Sequence, residues 1–122
     1  MNSPSISITK HRPSKVSFPY KGGTHFIHPD QIIRLEADSN YTYIYVQDRK
    51  PLLMAKVLAD YESLLQPFGF IRTHRSHLVN RIHISRLDIK GSIIMDDESI
   101  AEISRRKRKH IRQVLPYINQ CA

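Results

Sequence analysis

The sequence predicts a mostly β fold of short antiparallel strands, with one central helix and a second helix at the C-terminal end. Three observations carry this. Short runs rich in β-branched and aromatic residues recur between turn residues. Only two stretches follow a helical period. Strands and helices do not alternate as βαβ units, which argues against a doubly wound parallel sheet.

The elements follow in order. MNSPSISITKHRPS, residues 1–14, is rich in Ser and Pro and reads as a flexible tail or linker, with order beginning near Lys15. KVSFPYKGGTHFIH reads as two short strands around a two-residue turn at Gly22 and Gly23. His28, Pro29, Asp30 and Gln31 make a turn or one short helical turn. IIRLEAD is a buried strand that breaks at Asp38, Ser39 and Asn40. NYTYIYVQD alternates, with Tyr41, Tyr43 and Tyr45 on one face and Thr42, Ile44 and Val46 on the other. After a turn at Asp48, Arg49, Lys50 and Pro51, Leu52, Leu53 and Met54 read as the returning strand. VLADYESLLQ changes period: Val57, Leu58, Tyr61, Leu64 and Leu65 share a helical face, and Pro67 and Gly69 stop it. After FIRTHRSHLVN, HISRLDIKGSIIMDDESIAEIS, residues 83–104, reads as three short strands with turns at Lys90 and Gly91 and at Asp96 and Asp97. Ser104 suits the N-cap of a last helix running to about Asn119, with a break at Pro116.

The 122 residues suit one domain able to bury a core without staples. The net charge is +8, and residues 104–112, SRRKRKHIR, hold six cations and no acid; without them the charge is +2. The basic character is therefore local, the footprint of a polyanion such as nucleic acid or an anionic membrane surface. A single cysteine, Cys121, cannot form an internal disulfide and fits a reducing cytosol. The longest apolar runs fall far short of a bilayer span, and no apolar segment near the N-terminus suits a secretory signal.

The basic run poses a question. A helix N-terminus already carries partial positive charge, so cations there cost about 0.3–1 kcal/mol each. A solvated basic face paired with Asp96, Asp97, Glu98 and Glu102 is the plain alternative, but four acids cannot satisfy Lys107 to Lys109 as well as the rest. A phosphate placed against the run would resolve both difficulties. In FIRTHRSHLVN, Arg72, His74, Arg75 and Ser76 suit either an edge strand with outward polar residues or phosphate contacts. The HxxH of His74 and His77 has no cysteine and no second ligand pair, so no metal or other cofactor is expected. Asn40, Tyr41 and Thr42 sit in a turn that can reach base edges if it projects. There is no P-loop, GxGxxG, GxSxG or paired carboxylate, so no enzyme is expected. A basic protein-interaction module and a basic nuclease remain the alternatives from the residues alone.

Three blocks together resemble the LytTR family of bacterial DNA-binding regulators. They are IIRLEADSNYTYIYV, FIRTHRSHLVN and ISRRKRKHIRQVL, in that order. The second lies close to the family's F-x-R-x-H-R-S-x-L-V-N run. One departure is Glu102, where the family often has Pro. The resemblance spans about residues 16–115 and implies a LytTR-type domain over residues 15–120, with small sheets stacked side by side. It implies a sequence-specific transcription regulator whose loops enter successive major grooves of double-stranded promoter repeats. Carried over by position, it implies base contacts from Thr42 and Arg106. It implies backbone contacts from Asn40, Tyr41, His74, Arg75, Ser76, Arg105, Lys107 and Lys109. Leu78 and Asn80 are expected to be structural. A homodimer on DNA and a cytoplasmic location are expected. So is a link to a two-component system, through a receiver domain or a sensor kinase, if the chain is part of a longer regulator.

Overall fold

A computed structural model describes residues 14–115. The first described element is a hairpin, β1 (Val16–Tyr20) and β2 (Gly23–Ile27), with Tyr20 opposite Gly23. The turn is Lys21 and Gly22, one residue earlier than expected. Both hold left-handed φ, 44° and 76°. That pair matches the twist of a two-residue hairpin, and glycine takes the second position without steric cost.

A 3-10 turn (Pro29–Gln31) leads into the central sheet. Its strands are β3 (Ile32–Asp38), β4 (Tyr41–Val46), β5 (Leu52–Met54), β6 (Phe70–His74) and β7 (His77–Asn80), in the order β5-β4-β3-β7-β6. Every neighbouring pair is antiparallel. The turn after β3 and the turn after β6 therefore lie at the same end of the sheet. We call this the upper end. Helix α1 (Leu58–Leu65) links β5 to β6, and Gly69 closes the following 3-10 turn at φ 92°.

The last third forms β8 (Ile84–Leu87), β9 (Ile93–Met95) and β10 (Ile100–Ala101), a second small sheet in the order β10-β9-β8. Helix α2 (Arg108–Val114) follows a 3-10 turn (Arg105–Lys107). The continuation expected to Asn119, the break at Pro116, Cys121 and nearly all of the expected tail lie outside the described residues.

The central sheet is apolar on both faces, as the β4 alternation predicts. On one face, Leu35, Ile44, Leu52, Met54 and Leu78 pack with Phe18 and Ile27 of the hairpin and Leu58, Tyr61 and Leu65 of α1. On the other, Ile33 and Val79 pack with Ile93, Met95, Ile103, Ile111 and Leu115. Each such side chain contributes about 1.5–3 kcal/mol of burial. The result is three layers with the β3–β4 and β6–β7 hairpins held in the middle one. Asn80 fixes the lower end: its amide donates to the carbonyls of Pro29 (3.1 Å) and Ile32 (2.9 Å).

Candidate nucleic-acid interface

The upper end gathers the three motif blocks. Ser39 and Asn40 form the β3–β4 turn, with Ser39 at φ 58° and both residues exposed. Arg75 and Ser76 form the β6–β7 turn, and His74 opposes His77. The two turns are tied together, because the Ala37 N–H donates to the Ser76 carbonyl at 2.9 Å. The third block runs along β6. The Ser104 N–H donates to the Thr73 carbonyl (2.9 Å), and the Thr73 hydroxyl donates to the Glu102 carbonyl (2.8 Å). An open depression of about 350 Å³ between these segments is lined by His74, Arg75, Ser104 and Arg106 among others.

The expected contacts do not all fare alike. Asn40, Tyr41, Arg75, Arg105, Arg106 and Lys109 are exposed, and His74 and Ser76 are half-buried. Thr42 is a correction. It belongs to β4 rather than to the turn, is fully buried, and its hydroxyl donates to the Lys56 carbonyl at 2.7 Å. Strand β4 begins at Tyr41, so alternation sends Tyr41 outward and Thr42 into the core. Thr42 therefore cannot meet a base.

Lys107 is also less free than expected. Its ammonium donates to the Arg72 carbonyl at 2.9 Å. Burial holds its pKa below the ordinary lysine value; Glu62 opposes this, and the charges of Arg72 and Arg106 add to it. Lys107 thus anchors the basic segment to β6.

Ser104 precedes the 3-10 turn rather than capping α2, whose N-cap is Lys107; its hydroxyl makes no capping bond and is buried with no partner among the described residues. The crowding of cations is also eased. Arg105 and Arg106 lie on the 3-10 turn ahead of α2, which leaves Lys107 at its N-cap and Arg108 and Lys109 in its first turn to meet the dipole.

Two residues were not expected in these roles. Arg72 clamps the β6–β7 turn from within: its guanidinium donates to the carbonyls of His74 (2.9 Å) and Arg75 (2.6 Å) and to Glu62 (2.7 Å). His74 Nδ1 accepts the Ser76 N–H at 3.0 Å. Neither turn residue needs a positive φ, so side chains hold the loop. Lys56 is exposed at the same end, beyond β5. Strand counting would have found it, since β5 runs antiparallel to β4.

His77 is buried beside this turn. Its Nδ1 has no partner among the described residues, and burial lowers its pKa. Among the described residues no cluster of His, Cys, Asp and Glu could hold a metal ion, and no helix is long and apolar enough to cross a membrane.

The profile of the LytTr DNA-binding domain matches residues 22–116. The chain belongs to the LytTR family. That family binds DNA and is not enzymatic, and its presence here indicates DNA-binding transcriptional regulation. The LytTr DNA-binding domain of a methyl-accepting/DNA response regulator from Bacillus cereus superposes with a TM-score of 0.70. It is 26% identical, and the match covers 84% of this chain and 96% of that one. Two heme-containing CO-sensing transcriptional regulators of Paraburkholderia xenovorans (strain LB400), RcoM 2 and RcoM 1, are each 30% identical over 89 residues. Those matches take in 69% of this chain but only 33% of either regulator, so the LytTR chain spans about a third of their length.

Proposed function

We propose that this LytTR domain is a sequence-specific reader of double-stranded promoter DNA. The observation that carries the reading is the meeting of two hairpin turns and the 3-10 turn before α2 at one end of the central sheet. Asn40 on the first turn, Tyr41 at the start of β4 and Arg75 on the second turn extend from strands that are hydrogen-bonded to one another. Arg105, Arg106 and Lys109 extend from a segment pinned to the same sheet. A rigid body with projecting loops suits entry into successive major grooves, where the base edges carry an unambiguous code.

Roles divide by chemistry. Arg106 is the base reader, because a guanidinium pairs in bidentate fashion with guanine O6 and N7. Asn40 takes the base-reading place at the first turn that Thr42 cannot fill. Tyr41, His74, Arg75, Ser76, Arg105 and Lys109 position the duplex through its backbone, and the anchored Lys107 adds charge behind them. Two protomers occupy adjacent repeats, in the cytoplasm, under the control of a receiver domain or sensor kinase.

Selection of bound duplexes from a random pool tests the reading. The expected result is a short repeated motif, bound by the purified protein in preference to a scrambled duplex. Recovery of no preferred sequence, with affinity set by salt alone, would reduce the domain to a nonspecific binder. Binding confined to acidic proteins would make it an interaction module.

A further inference from the structure

The β8–β9 turn, residues 88–91, belongs to none of the three motif blocks, yet the fold brings it to the upper end. Strand β8 leaves from His83, whose Nε2 lies 2.6 Å from the Asp30 carbonyl at the lower end. Strand β9 returns there, with the Asp96 N–H on the His83 carbonyl at 2.8 Å. The turn between them must therefore point the other way.

It also abuts the basic segment. The Arg108 guanidinium packs against Gly91, so that a Cβ at Gly91 would sit 3.6 Å from it. Arg108 is two residues from Arg106.

The turn is built rigidly. Asp88 Oδ1 accepts the N–H groups of Lys90 and Ser92, both at 2.9 Å, and the Gly91 N–H reaches the Asp88 carbonyl at 3.0 Å. Gly91 supplies the φ of 91°. This scaffold presents Ile89 at 103% exposure, and Lys90 is exposed beside it. The Asp88 carboxylate turns into the loop toward these N–H groups, while Lys90 stands exposed. The opposite turn of the same sheet carries Asp96, Asp97 and Glu98. One small sheet thus presents an exposed lysine and isoleucine at the tip beside Arg108 and an acidic tip at the far end.

We propose that the β8–β9 turn is a further DNA-contacting element. Lys90 pairs with a phosphate, and Ile89 lies against a deoxyribose of the strand that passes the Arg108 side of the basic segment. A cation gains affinity from counterion release, while an exposed isoleucine gains by losing water against the sugar face. The proposal rests on the DNA reading above and extends its footprint beyond the three motif blocks.

The test is fluorescence anisotropy on a fluorescein-labelled mixed-sequence duplex across a salt series. Lys90→Ala should lower the slope of log K against log salt by roughly 0.9, the value for one lost phosphate contact. Ile89→Ser should weaken binding several-fold with the slope unchanged. Arg75→Ala runs alongside as the reference. If it lost its share of the slope while both tip variants matched the wild type, the tip would be excluded and the DNA reading would stand. If the unaltered protein bound no duplex at any salt, both readings would fail together.

Discussion

Arg72 and Glu62 meet at 2.7 Å, and that contact joins helix α1 to the hairpin turn carrying Arg75. The Arg72 fork makes two further bonds, to the His74 and Arg75 carbonyls, so one side chain sets the shape of the turn. A lysine keeps the charge but is a point donor without the planar fork. Arg72→Lys should therefore loosen the turn, with faster amide exchange at Ser76 and a loss of about 2 kcal/mol of stability. DNA affinity should fall although Arg72 faces inward. Unchanged exchange at Ser76 would show that the turn holds itself.

Arg106 and Arg75 are both exposed arginines at the same end, but the proposed reading gives them different work. Arg106→Ala should cost about 1–3 kcal/mol and relax preference at a single base position. Arg75→Ala should weaken all duplexes about equally and lower the salt slope by roughly one unit. Competition between the selected site and its single-base variants separates the two outcomes. Uniform weakening by Arg106→Ala would remove it from base reading.

Thr42 offers a control inside the first motif block. Its hydroxyl satisfies the Lys56 carbonyl from within the core. Thr42→Val keeps the shape but strands that carbonyl, which should cost about 1–2 kcal/mol in denaturant unfolding. Sequence preference should not change. A shift in preferred bases would return Thr42 to the interface.

The strands were legible because turn residues mark their ends and β4 alternates so strictly. The two-sided burial of the central sheet followed from that same alternation. What escaped was one-residue placement. The first hairpin turn lies at Lys21 and Gly22 because Gly23 pairs with Tyr20, a choice between adjacent glycines that composition does not make. The same one-residue uncertainty put Thr42 in a turn; once β4 starts at Tyr41, its side chain faces the core. Arg72 and Lys107 read as free cations because no local pattern shows that they bind carbonyls across the fold. The gathering of the blocks at one end was implicit in antiparallel pairing, but it required knowing that β7 sits beside β3.

His77 makes stability depend on pH. It opposes Glu36 in the β3–β7 pairing, stands 5.5 Å from the His74 ring, and is buried. Burial lowers its pKa below the ordinary 6.5; Arg34 and His74 push the same way, while Glu36 and Glu102 push back. A lowered histidine pKa means that the folded state binds the proton less readily than the unfolded chain. Stability is then full above about pH 6.5 and falls as the pH drops through that value toward the lower folded pKa. The slope from this one group is at most about 1.4 kcal/mol per pH unit. His77→Phe replaces the ring without a titrating nitrogen, so the loss of stability between pH 6.5 and 5 should shrink by that group's share. Urea unfolding of both proteins across this range measures it. Because His77 flanks the turn that carries Arg75, amide protection in the wild-type turn, corrected for the intrinsic pH dependence of exchange, should be lower at pH 5 than at pH 7, and the variant should not show the difference. Parallel pH curves for the two proteins would clear His77 of the effect.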